Sequence, residues 1–137
     1  MKVRYLVDTN ILLRFLSGEP LHQAEGTRKL FARAAADEVI LDVSPVIVAE
    51  VVYTLLSFYG VERKEAAEKL IRLLQQRGVK VRNGSQVFDA LKRLQTSNVG
   101  FADAFLVASG AEEKVAIASF DRDFDKFQDL SRFEPKP

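Results

Sequence analysis

Four carboxylates, Asp8, Glu50, Asp103 and Asp121, occupy positions where a charge needs a reason. Asp8 lies inside the apolar stretch YLVDTNILLRFL, residues 5–16. A charge held in such a setting is costly unless it is paired or binds a cation. An Asx turn or a cap for the following helix is the plainer reading of Asp8. Glu50 sits in SPVIVAEVVYTLL, six residues after Ser44 and so beyond the first turn, where a helix dipole favours an acid. Its helical neighbours Val46, Ile47, Tyr53 and Thr54 include no cation, so no local ion pair accounts for it. Asp103 falls about one turn after Gly100 in the apolar VGFADAFLVA, where the dipole alone could account for an acid. Asp121 follows VAIASF much as Asp8 follows VRYLV, and Asp123 competes for any role given to it.

Two of these acids end predicted strands and two lie near predicted helix starts. In a parallel α/β sheet both kinds of position face the same rim, outside the strand carboxyl ends. Converging carboxylates repel one another, and a hard divalent cation relieves that repulsion. Oxygen ligands without His or Cys suit Mg²⁺ or Mn²⁺ rather than zinc. A site of this kind can activate water and stabilise an in-line phosphoryl displacement.

Composition removes several other chemistries. There is no cysteine, which excludes disulfides, thiolate nucleophiles and Cys-based zinc sites. That absence fits a reducing compartment, and a cytoplasmic location is expected. The single histidine, His22, lies in the polar-flanked LHQAEG and reads as an exposed residue at a helix start, so a histidine dyad is excluded and a triad disfavoured. A net charge of +1 falls short of the strongly basic signature of many nucleic-acid binders. Asp8 and Arg14 interrupt the first apolar run, against a secretory signal. The run VSPVIVAEVVYTLLSFYGV, residues 43–61, contains Glu50 and is bracketed by Pro45 and Gly60. It reads as a buried core helix rather than a membrane span.

The elements that must position the acids follow from pattern. Residues 3–7 (VRYLV) read as a buried strand, and NILLRFLSG as a short helix closed by Gly18. Pro20 opens a second helix, with apolar residues at helical spacing through Ala35. EVILDV, residues 38–43, is a second strand, and Ser44-Pro45 a cap and first helical position for a helix running to about Tyr59. ERKEAAEKLIRLLQQRG is an amphipathic helix whose apolar residues Ile71, Leu73 and Leu74 exceed what one covered face needs, which offers a dimer surface. VKVR, residues 79–82, is a third strand. Helices follow through VFDALKRLQ and, after Gly100, FADAFLVASGAEE. VAIASF, residues 115–120, is a fourth strand, with a weak edge strand near Phe133. Alternating strands and helices predict one α/β domain over residues 1–137: three layers, with a central, mostly parallel sheet of four to five strands flanked by helices.

At this point the sequence resembles a known family. V-D-T-N at 7–10, S-P-V-I-V-A-E at 44–50, F-A-D-A at 101–104 and S-F-D-R-D-F at 119–124 are similar, in order and spacing, to the motifs of PIN domains. Within that family they resemble the VapC-type toxin ribonucleases of type II toxin–antitoxin systems. The resemblance spans essentially the whole chain. It implies that Asp8, Glu50, Asp103 and Asp121 gather around one or two Mg²⁺ or Mn²⁺ ions and hydrolyse RNA phosphodiesters, with Asp8 and Asp103 as the direct ligands. It makes Thr9, Asn10, Ser119 and Asp123 supporting residues, Ser119 standing where threonine is common. It further implies a homodimer and a small antitoxin partner. Arg14, one helical turn after Asn10, and Arg122 are candidates for RNA phosphate contact, or plain solubility charges. Rival readings are an RNA-maturation nuclease of the same family, a non-catalytic PIN-like binding module, and a haloacid-dehalogenase-type phosphatase. The last expects a second aspartate where Asn10 stands.

Overall fold

The computed structural model describes residues 2–137. Among them the elements run β1 (Val3–Leu6), α1 (Thr9–Ser17), α2 (Leu21–Ala35), β2 (Val39–Val43), α3 (Pro45–Ser57), α4 (Arg63–Leu74), β3 (Val79–Val81), α5 (Gly84–Thr96), α6 (Phe101–Glu113), β4 (Ile117–Ala118), a 3-10 turn (Arg122–Lys126) and β5 (Arg132–Phe133). The α/β class and the alternation of strands and helices are as the sequence predicts. All strand pairings are parallel, so each connection crosses over through helical structure.

The five strands fall into two sheets rather than one continuous layer. β1, β2 and β3 pair in that order, with Leu6 opposite Asp42 and Asp42 opposite Lys80. β4 and β5 pair with each other, Ile117 opposite Arg132. The strand expected over 115–120 is therefore only two residues long. The expectation of a buried first strand also fails. All four residues of β1 are exposed, Leu6 at 71%, because β1 pairs on one side only, with β2. Burial resumes at Val7, whose amide donates to the Asp42 carbonyl at 2.9 Å.

The central strand β2 carries the core. Val39, Leu41 and Val43 are buried with Leu12, Phe31, Val48, Val52, Leu70 and Leu91 from the surrounding helices. Its one charge, Asp42, is also buried, with Arg82 Nε at 3.0 Å and Arg4 Nε at 3.6 Å. Leu73 and Leu74 of α4 belong to this core as well and Ile71 packs against it half-buried, so the apolar residues suggested for dimerisation are used largely within one chain. Gly78 enters β3 at φ +87°, and a Cβ there would lie 2.5 Å from the Ala34 carbonyl oxygen. Only glycine fits that backbone conformation and that close approach.

Candidate functional site

The site is built where β1 hands over to α1. Asp8 is the N-cap of α1, with an extended backbone, and its Oδ1 accepts from the Thr9 amide at 2.7 Å. Capping satisfies one of the helix's orphan amides and leaves the carboxylate exposed at the strand's carboxyl end. Thr9 then turns its hydroxyl to a different element: Oγ1 donates to Glu50 Oε2 at 2.6 Å. One residue thus ties the carboxylate after β1 to the carboxylate on α3.

Local sequence explains why Glu50 faces that way. Ser44 caps α3, its hydroxyl accepting from the Ile47 amide, and Pro45 takes the first turn. Val48, Val51, Val52 and Leu55 form the buried stripe. Glu50 falls off that stripe with Val46 and Tyr53, on the exposed side. The geometry therefore confirms that Glu50 is not a core acid. Its hydrogen-bond partner is Thr9 rather than a distant cation.

Asp103 lies in the first turn of α6, half-buried, after the N-cap Gly100. α6 packs against α3, and residues flanking both acids, Ala49 beside Glu50 and Ala102 beside Asp103, line one cavity. Asp121 is held differently. It caps the 3-10 turn, its Oδ1 accepting from the Asp123 amide at 2.9 Å, while its own amide donates to Ser119 Oγ at 2.9 Å. The Asp123 carboxylate pairs with Lys126 at 3.4 Å. Asn10 and Arg14 line a small hollow between α1 and α2, where Arg14 Nε donates to Gln23 Oε1 at 2.8 Å. Arg122 lies on the 3-10 turn and is exposed; its positive charge helps hold the Asp125 carboxyl below its usual range, after the larger effect of the Arg132 hydrogen bond. His22 is exposed on α2.

Two residues that pattern reading passes over brace these acids. Arg63, at the start of α4, donates to the carbonyls of Ser97 at 3.0 Å, Asn98 at 3.0 Å and Val99 at 2.7 Å, the segment that leads into α6. Arg132 on β5 donates to the Ser119 carbonyl at 3.0 Å and also grips Asp125 and Glu134; those two carboxylates hold its guanidinium above its already high range. The pattern around each, a charge beside an amphipathic helix or a weak strand, carries no mark of its long-range partners.

The donor chemistry fits a hard divalent cation: exposed or half-exposed carboxylates, with hydroxyls and an amide nearby. Asp8 and Glu50 are bridged through Thr9. Among the described residues, however, no three Asp, Glu or His side chains stand close enough to share one ion. Asp103 is joined to the Asp8–Glu50 pair by no contact of its own, only its neighbour Ala102 sharing a cavity with Ala49, and Asp121 is tied to its own turn.

Parallel strands joined through helices define an α/β domain. A profile of the PIN domain matches residues 5–130. The chain belongs to the PIN domain family. A search of curated proteins returned no match. Among solved structures, the chain is similar to one in the crystal structure of VapBC2 from Rickettsia felis bound to a DNA fragment from their promoter. There the identity is 15%, the alignment covers 96% of this chain and 98% of that one, and the TM-score is 0.39.

Proposed function

We propose that this chain is a Mg²⁺- or Mn²⁺-dependent endoribonuclease. The observation that carries the reading is the Asp8–Thr9–Glu50 bridge at the carboxyl end of β1 in a PIN domain. Asp8 and Asp103 are the residues that would hold the cation, and Glu50 and Asp121 the acids that would support it. Bound there, a divalent ion supplies Lewis-acid stabilisation of the phosphodiester and a water of lowered pKa. Thr9 fixes one oxygen of Glu50, which leaves the other to orient the attacking water and receive its proton. Ser119 and Asn10 offer further polar contacts to the acids or to a phosphate, and Arg14 and Arg122 are candidate cations for the RNA backbone. Water attack on phosphorus breaks the bond to O3′, leaving a 3′-hydroxyl and a 5′-phosphate.

The biological role that fits this chemistry is that of a cytoplasmic toxin, homodimeric and neutralised by a small antitoxin protein. An RNA-maturation role uses the same site. Among the described residues no helix is long and apolar enough to cross a membrane. The test is cleavage of a mixed structured-RNA pool by purified protein, in Mg²⁺ or Mn²⁺ against EDTA, with wild type against Asp8→Asn. Metal-dependent cutting that Asp8→Asn abolishes, with 5′-phosphate ends, supports the proposal. Cutting that persists in EDTA, or products ending in 2′,3′-cyclic phosphate, would sink it.

A further inference from the structure

One cavity among the described residues has walls that include the neighbours of Glu50 and Asp103. It lies between α3, the α3–α4 connection and the start of α6, with a volume of about 670 Å³. Sites for small organic ligands run from about 300 to 1,000 Å³. Val52, Leu56, Val61 and Phe101 give it an apolar wall. Tyr53 also lines it, with its ring 71% exposed. Tyr53 lies three residues after Glu50, so the two share a face of α3. Ala102 on the opposite wall immediately precedes Asp103.

We propose that this cavity binds an unpaired nucleobase of the RNA next to the scissile phosphate, guanine in preference to the others. The inference rests on the nuclease reading above and assigns that site a base-recognition subsite. A base next to a phosphate at the acids would meet Tyr53, the exposed ring of the cavity wall, while Phe101 is buried beneath it. Every base offers a π-face to an aromatic ring, and unstacked RNA bases are commonly held in this way. The polar groups at the cavity then choose among bases. Arg63 is turned to the Ser97, Asn98 and Val99 carbonyls. Glu62 is exposed at the N-cap of α4 but makes no capping hydrogen bond with its side chain, and no ion pair to it is formed among the described residues. A carboxylate only accepts hydrogen bonds. Guanine presents two adjacent donors, N1–H and the N2 amine, to its two oxygens. Adenine and cytosine present one amine each, and uracil a single ring N–H.

The experiment pairs binding with cleavage. GMP, AMP, CMP and UMP are titrated by saturation-transfer NMR, and cleavage sites are mapped on single-stranded RNA of randomised sequence. Wild type is compared with Tyr53→Ala, Ser57→Trp and Glu62→Gln. Tyr53 and Ser57 are exposed, so neither change disturbs the core, and Ser57→Trp fills the cavity from its wall. GMP should bind best. Tyr53→Ala and Ser57→Trp should each raise KM roughly tenfold with kcat within about twofold, the scale of losing one base–aromatic stack. Glu62→Gln should reduce the guanine preference at cleavage sites roughly tenfold, one lost charged contact. Wild-type cleavage with unchanged KM and unchanged base preference in all three variants overturns the proposal, and leaves the cavity to an apolar segment of a protein partner. Absence of cleavage by wild type counts against the nuclease reading instead. In that case GMP binding that Tyr53→Ala abolishes still upholds the subsite, and its absence overturns it.

Discussion

Arg63→Met asks how firmly the entry to α6, and with it Asp103, is held. The methionine keeps an unbranched apolar stem and removes only the guanidinium. Three hydrogen bonds are lost, to the carbonyls of Ser97, Asn98 and Val99. A bond from a charged donor contributes about 1.5–3 kcal/mol. The three do not add, because one half-buried head group makes all of them and water replaces it at the exposed Asn98. Val99 is buried, and its carbonyl takes the shortest bond, so that loss dominates. A net cost of about 3 kcal/mol follows, a fall in Tm of roughly 10 °C for a domain of this size. Urea unfolding followed by circular dichroism measures it, with an unchanged slope showing that the transition is the same one. Arg63→Lys keeps the charge but not the fork, and should recover less than half of the loss. Below the transition, RNA cleavage by Arg63→Met should also fall, since Asp103 sits two residues past Phe101 on the loosened turn. A Met variant within about 1 kcal/mol of wild type would refute the reasoning, because the three carbonyls would then be equally well served by water.

Thr9→Val removes the hydroxyl bridge to Glu50 without changing side-chain shape. Mn²⁺ affinity, read by electron paramagnetic resonance, and cleavage should both drop by roughly 10- to 100-fold, with Thr9→Ser restoring them. Asp42→Asn leaves Arg4 and Arg82 facing a neutral amide on the central strand. Both arginines are half-exposed and can rehydrate, so the cost is about 2 kcal/mol, a fall of about 7 °C in a thermal melt rather than outright unfolding. The Asp129 carboxyl is held below its ordinary value of 3.8, first by its hydrogen bond from Arg93. A depressed folded value stabilises above the unfolded value and is lost as pH falls through the folded one. Urea midpoints of wild type and Arg93→Met should therefore differ most well above the ordinary carboxyl value and draw together as pH falls through the lowered one.

Much of the fold was legible because its signals are local. Ser44-Pro45 declares a helix start, Gly18 a helix end, and the stripe Val48, Val51, Val52, Leu55 a buried face, and each does what it declares. Glu50 falls off that stripe onto the exposed side of α3, so the local pattern accounts for its charge without a buried partner. What depended on distant partners was not legible. The apolar run VRYLV is what a buried strand would show, yet burial needs a neighbour on each side, and β4 pairs with β5 instead of β1. Arg63 and Arg132 look like any surface cation until the carbonyls they clasp, more than ten residues away in sequence, are known. Thr9 shows the limit most clearly. The resemblance marks it as a residue that supports the site, but nothing in the sequence names its partner, an acid 41 residues on. Spacing suggests four carboxylates for one rim, but which of them are coupled is decided by the short polar side chains between them. Here the coupling runs through Thr9 from Asp8 to Glu50, while Arg63 holds the segment that leads to Asp103.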